Sequence, residues 1–405
     1  MATALGAVRG GRCPVGAIPV EILCDIFLRS AAISARVAIP NCDFRGGCRL
    51  SLNVAQVCRE WRSIALSIPE LWGLIYFSRR HAQTQDFSEL IELLSRSNFS
   101  SSFLVCETYF STLIERSFEK LVSLCSQGRL DSFHDRFLGV DITVWEGYGE
   151  VASWLQRFKR LQRLKIICEE GDYWIEDMPS TFPNLTHLYI KFNLSTEAER
   201  LVKTGWRGLR SLIVQMDGDL FYWDAQKLCS NFPDLEELLI LTPVLRLCST
   251  PTHDVNLTTH FALKSLVVNC IIVKPESTAF GYLGTITLPA LKHLVIDISN
   301  LTPADLQPME DFADRSQVRL NTLSLITSTA TIPSDSDIDK ETSRSRVLRV
   351  ILNAFGVDRA EVTYAFFKTR LWFDWMANWY RPYVSHDLDR DTESFRRYIT
   401  LTGIL

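Results

Sequence analysis

No two cysteines in this 405-residue chain are spaced as C-x-x-C, and their number, eleven, is odd. That excludes the usual zinc-ribbon and thioredoxin-type spacings and argues against a disulfide framework, so the thiols read as reduced and the setting as cytoplasmic or nuclear. No window approaches 18 consecutive apolar residues, so no helix is expected to span a membrane and no membrane partner is expected. The opening MATALGAVRGGRCPVGA has two arginines and no acid but lacks the apolar stretch of a secretory signal, and a mitochondrial presequence is the minor alternative. A basic excess is also missing. Lys and Arg number 43 against 47 Asp and Glu, a net charge of -4, so no nucleic acid is expected as a partner.

Catalytic and metal signatures are equally scarce. There is no G-x-x-x-x-G-K-[ST], H-E-x-x-H or G-x-S-x-G. Ser117 and Lys120 spell S-x-x-K without its companion motifs. Cys42, Cys48 and Cys58 have no zinc-like spacing, and His187 and His293 lie too far apart to share a metal. One fragment does imitate an enzyme. Over residues 138–170 a strand, LGVDITVW, leads to Gly147, Gly149 and Ala152 and then to a second strand ending at Glu169, a pattern like a dinucleotide fingerprint. Glu146 and Glu150 would face the pyrophosphate, which needs backbone donors and no nearby anions, so a nucleotide enzyme here is the unfavoured alternative. No cofactor, no metal and no catalytic residue is expected.

What is present begins at IPVEILCDIFL, residues 18 to 28. Pro19 suits the first turn of a helix and Glu21 its dipole, while Ile22, Leu23, Ile26 and Phe27 follow at helical spacing. A second helix is predicted from Asn53, with Gln56 completing a capping box and Val54, Val57, Cys58, Trp61, Ile64 and Ala65 repeating along one face. Pro69 stops it. Residues 31–50, with Pro40 and Gly46-Gly47, read as a loop. So short a chain buries too little of its own surface to stand alone, so these helices need a partner surface.

IPVEILCDIF followed by VCREWRSIALSIPELW resembles the F-box, with a longer loop between its helices than is usual. The resemblance implies docking on a Skp-type adaptor, and through it on the cullin and RING subunits of a ubiquitin ligase. It assigns that contact to Ile18, Pro19, Ile22, Leu23, Phe27, Val57, Cys58 and Trp61.

A repeat runs through the middle of the chain. Leu-x-x-Leu-x-apolar occurs seven times, with second leucines at 164, 188, 212, 238, 266, 294 and 323. The steps, 24 to 29 residues, are those of leucine-rich repeats. Fainter strands at 74–77, 103–106 and 138–144 extend the array toward the helices, and Ser88 to Arg96 is the clearest convex-side helix. The chain therefore resembles an α/β protein: an N-terminal helical F-box followed by an irregular leucine-rich-repeat solenoid, with parallel strands on the concave face and helices and loops on the convex face.

Alternation along such strands places Arg163, Lys165, His187, Tyr189, Lys191, Ile213, Gln215, Leu239, Val267, His293 and Val295 on the concave surface, as candidate substrate contacts. Arg163, Lys165 and Lys191 make its start basic, suited to an acidic or phosphorylated segment or to solvent alone. Tyr189, Ile213, Leu239, Val267 and Val295 form an apolar stripe, read either as a binding surface or as one covered by a loop or tail. The aromatic segment Tyr364 to Tyr383 is the candidate cover.

The domain reading is a flexible N-terminus at 1–15, an F-box at 16–73, a solenoid at 74–327, a loop at 328–346 and an aromatic-rich C-terminal cap at 347–405. The function expected is a non-catalytic substrate receptor of an SCF-type ligase, its solenoid holding a protein substrate. A scaffold acting outside a ligase is the alternative.

Overall fold

The computed structural model describes residues 18–27, 54–77, 79–97, 102–110, 112–126, 133–144, 148–168, 176–192, 195–216, 221–223, 225–247, 257–273, 281–297, 306–327, 354–355 and 360–364. The expected N-terminus, the loop at 31–50, the loop at 328–346 and the aromatic residues beyond Tyr364 lie outside them.

Eleven parallel strands form the main path of one sheet in chain order. They are β1 (Leu74–Phe77), β2 (Ser102–Phe110), β3 (Phe137–Val144), β4 (Arg163–Cys168), β5 (His187–Phe192), β6 (Ser211–Met216), β8 (Glu237–Leu247), β10 (Ser265–Val273), β12 (His293–Asp297), β13 (Thr322–Thr327) and β14 (Ala360–Tyr364). A short β7 (Phe221–Trp223) pairs with β8 off this path. β9 (Thr258–Thr259) and β11 (Ile286–Thr287) form a separate two-stranded pair.

The repeat leucines fall into one column. Leu164, Leu188, Leu212, Leu238, Leu266, Leu294 and Leu323 are successive register partners across seven strands, and Val140, Leu104 and Ile75 continue the column to the first strand. β14 adds a strand beyond residue 327, where the sequence placed the end of the array. Because the order never reverses among the described strands, they form no switch point, the place where a doubly wound fold opens a nucleotide crevice. β3 and β4, the strands of the fingerprint-like fragment, are simply adjacent repeats.

Backbone hydrogen bonds tie each repeat to the one before it. Gln162 O accepts from Thr186 N at 2.9 Å and His187 N at 3.0 Å, and Thr186 O accepts from Arg210 N at 2.8 Å and Ser211 N at 3.0 Å. The same doubly accepting carbonyl recurs at Arg210, Glu236, Lys264 and Lys292. The main-path strands from β5 to β13 are thus registered at their first residues, and length differences between these repeats fall in the segments that cross the other face.

The core lies on that other face, between the leucine column and the crossing segments. The helix α5 (Ser88–Arg96) matches its expected bounds and buries Leu90, Leu93 and Leu94. The helices α6 (Thr112–Ser126) and α7 (Tyr148–Leu155) contribute Phe118 and Trp154, whose rings meet edge-on with centroids 5.3 Å apart. Phe118 also neighbours Phe133, Phe137 and Phe158, which makes this the densest aromatic part of the core. Ser117 of the S-x-x-K fragment is buried there and accepts from Gln85 Nε2 at 2.7 Å, a structural contact.

Candidate functional site

The N-terminal helices divide their apolar residues between two faces. In the helix α1, residues 20–27, Leu23 and Phe27 are buried in the same core that runs into β1, while Val20, Ile22 and Ile26 are exposed. The predicted second helix is two pieces, α2 at 54–57 and α3 (Arg59–Leu66), separated at Cys58. Cys58 is extended, with φ -156° and ψ 173°, and its sulfur accepts from Trp61 N at 3.4 Å, so it caps α3 where the sequence placed a mid-helix residue. Asn53, the expected cap, lies outside the described residues. Val57 is 61% exposed and Ile22 51%, among the most open large apolar side chains of the described chain.

Of the eight residues proposed for adaptor contact, two are corrected by burial. Leu23 and Phe27 pack inward, and Phe27 lies 4.9 Å from the ring of Trp61, so both hold the module together and offer no contact area. Ile18 and Trp61 are half-buried against the core. Pro19, Ile22, Val57 and Cys58 remain exposed, joined by Val20, which the sequence reading passed over.

The module is fixed to the array. Trp72, at the end of the 3-10 turn Pro69–Trp72, donates from Nε1 to Ala65 O at 2.8 Å, and the Arg96 guanidinium lies over its ring at 4.7 Å. The PELW stretch is therefore the joint between α3 and β1.

On the sheet, the concave assignments prove to be neighbours in register: Lys165, Tyr189, Ile213, Leu239, Val267 and Val295 form one row. Their burial corrects the expected role. Tyr189 and Ile213 are 1% and 0% exposed, and Leu239, Val267 and Val295 are also buried, so the stripe is closed to solvent and a substrate cannot touch it as it stands. Lys165 belongs to no open basic patch. Its Nζ is 2.7 Å from Asp141 Oδ2, with both side chains more than nine-tenths buried, and it lies 5.7 Å from the Tyr189 ring centre. Tyr189 in turn donates from its hydroxyl to Gln215 Oε1 at 2.7 Å. A polar chain thus crosses four strands, Asp141 to Lys165 to Tyr189 to Gln215.

Asp141 was legible in principle, because it lies 24 residues before Lys165, one repeat back in the same row. Arg163, His187, Lys191, Gln215 and His293 are half-buried. His293 Nδ1 and Thr322 Oγ1 share a hydrogen bond of 2.6 Å between adjacent repeats.

At the strand-start edge of β4 to β6 a cleft of about 440 Å³ is lined by Arg160, Gln162, Asn184, Thr186, His187 and Arg210. Desolvation, with the charges of Arg163 and Arg210, holds the His187 imidazole down at about 3. Sequence reasoning found His187 but missed Arg160 and Arg210, which precede their strands and so escape an alternation rule that starts at the strand.

Among the described residues no group of three or more His, Cys, Asp or Glu side chains is arranged to hold a metal ion. Burial pushes the thiols of Cys106 and Cys229 up, the latter to about 12, so both are neutral core residues.

No family model matches the chain, and no curated protein matches it. Among solved structures it is similar to the leucine-rich repeat-containing protein LegL7 from Legionella pneumophila, with 11% identity, a TM-score of 0.36, and coverage of 74% of this chain and 88% of that one.

Proposed function

We propose that the chain is a protein-binding scaffold whose N-terminal helical module docks, in the manner of an F-box, on a Skp-type adaptor, and so serves as the substrate receptor of an SCF-type ubiquitin ligase. One observation carries the reading: on α1 and α2 the inner apolar residues Leu23, Phe27, Val54 and Ala55 are locked into the core, yet Val20, Ile22, Ile26 and Val57 stay outside it. Folding alone does not require that second set, and four exposed aliphatic side chains on two short helices favour contact with another apolar surface. In this reading the chain contributes position and no bond chemistry. An adaptor held at the module and a substrate held by the array are brought to a high effective concentration of one another.

The test is co-purification of the full chain with a Skp-type adaptor and cullin, compared with the double variant Ile22→Asp/Val57→Asp. Both positions are open to solvent, so the variant should keep the wild-type circular dichroism spectrum and melting temperature. Adaptor recovery should fall at least tenfold. Undiminished recovery would remove the assignment. Adaptor recovery without cullin or ubiquitin transfer would favour the scaffold acting outside a ligase.

A further inference from the structure

The cleft at the start of β4, β5 and β6 has a chemical character that the scaffold reading leaves unused. Arg160 stands before β4 and Arg210 before β6, on either side of Thr186 and His187 at the start of β5. Two strand spacings separate the arginines at the backbone, roughly 10 Å, a gap that two long guanidinium side chains close upon a group between them. The turn that carries Arg160 is held in place, since Asn184 Nδ2 donates to Lys159 O at 3.1 Å from the next repeat.

Among the described residues no carboxylate lines the cleft. The acids near the start of β8 have other partners as well, with Glu237 accepting from Ser211 Oγ at 3.0 Å. Asp234 Oδ2 accepts from Gly208 N at 2.9 Å, and Glu236 Oε2 is 2.6 Å from Lys264 Nζ, which leaves Glu236 Oε1 only a 3.9 Å contact with Arg210. Arg210 is 65% exposed on its side chain, so its guanidinium is open to a solute. His187 supplies a measure of the field. Besides burial, Arg210 of the cleft and Arg163 beside it disfavour its protonation, so the imidazole stays neutral. A neutral imidazole and the Thr186 hydroxyl, which share a 2.8 Å hydrogen bond, give the floor polar groups without adding charge.

We propose that this cleft binds a phosphate monoester, gripped by Arg160 and Arg210 with Thr186 and His187 beneath it. Arginine forks match the geometry of phosphate oxygens, and bonds between two charged groups are about twice as strong as neutral ones. The group can arrive on a small molecule or on a side chain of a protein; the recognition chemistry is the same. The inference stands apart from the adaptor reading, because it concerns other elements and needs no second protein.

The experiment uses the full chain and three probes at matched ionic strength: inorganic phosphate, phenyl phosphate and a phosphoserine tripeptide, each followed by calorimetry and by melting temperature. The comparison is the double variant Arg160→Gln/Arg210→Gln, with Arg160→Lys/Arg210→Lys as the charge-preserving control. Phosphate stabilises many proteins by exclusion from their surfaces, a contribution common to wild type and variant that cancels between them. The expected result is saturable binding to wild type, weakened at least tenfold in the glutamine variant and only partly restored by lysine. Tighter binding of the tripeptide would place the group on a protein, and tighter binding of phenyl phosphate on a small molecule. Equal heats and equal melting shifts in wild type and glutamine variant would overturn the proposal. Because both arginines are exposed, an unchanged melting temperature in chloride will show that the variants are folded.

Discussion

Lys165 and Asp141 show how one repeat's residue depends on the next. The two charges lie in the interior 2.7 Å apart, and each offsets part of the other's desolvation. Lys165→Met alone takes the ammonium away from a buried carboxylate and should cost about 3–5 kcal/mol, read as a lowered urea midpoint. The double variant Asp141→Leu/Lys165→Met should recover most of that loss or exceed wild type, since apolar side chains replace such pairs at little cost. If the double variant is as unstable as the single, the pair is not the controlling contact. The sequence placed Lys165 on the correct face but treated it as an exposed charge. Alternation reports the side of a sheet and says nothing about what lies over it.

Among elements, β2 and β3 meet closely at Gly139. A Cβ added there would overlap Cε1 of Phe103, its register partner on β2. Gly139→Ala should destabilise the array by about 1–3 kcal/mol through overpacking. Adding Phe103→Ala should then cost less than in the wild-type background, a coupling that a double-mutant cycle of thermal unfolding measures. Additive losses would show that the ring and the glycine do not meet.

At this scale the repeat was readable because each leucine recurs at a spacing the backbone must honour, and all seven fall into one column. The helical module was readable only in part. Cys58 sits on the apolar stripe of a continuous helix by spacing, and nothing local announces that the chain becomes extended there. Nor does spacing separate Ile22 from Leu23. Both belong to the same apolar arc, and only what packs on the helix, as Trp61 does on Phe27, decides which one is covered. The cleft arginines were missed because they belong to the turns, where side-chain direction follows no period.

For the whole molecule, the buried His134 and the half-buried His187 make stability depend on pH. Burial chiefly, with Arg157 beside it, holds His134 at about 4, and His187 is held at about 3. Both lie below the ordinary value of 6.5, so between the folded and unfolded values the unfolded chain binds protons that the native chain refuses. Stability from neutral burial is fully present above pH 6.5 and is lost as the pH falls toward 4 and 3. After discounting for partial solvent access, the loss by pH 5 is on the order of 1 kcal/mol per histidine. Urea midpoints at pH 7 and pH 5 should differ accordingly, and His134→Phe should reduce the difference. A variant with an undiminished pH dependence would assign it to other groups.

The Trp72 joint has a mechanical meaning. Since the indole bonds back to Ala65 and the core runs without a break from Leu23 and Phe27 into β1, the described chain places no swivel between the helices and the first strand. Ten intervals separate β1 from β14, and at about 4.8 Å each they span roughly 48 Å measured along the sheet. On the proposed reading, a protein docked on Ile22 and Val57 would inherit a fixed bearing toward every repeat. The strand that held a second protein would then set its distance from the first, and the array would act as a graduated ruler with its zero at the helices.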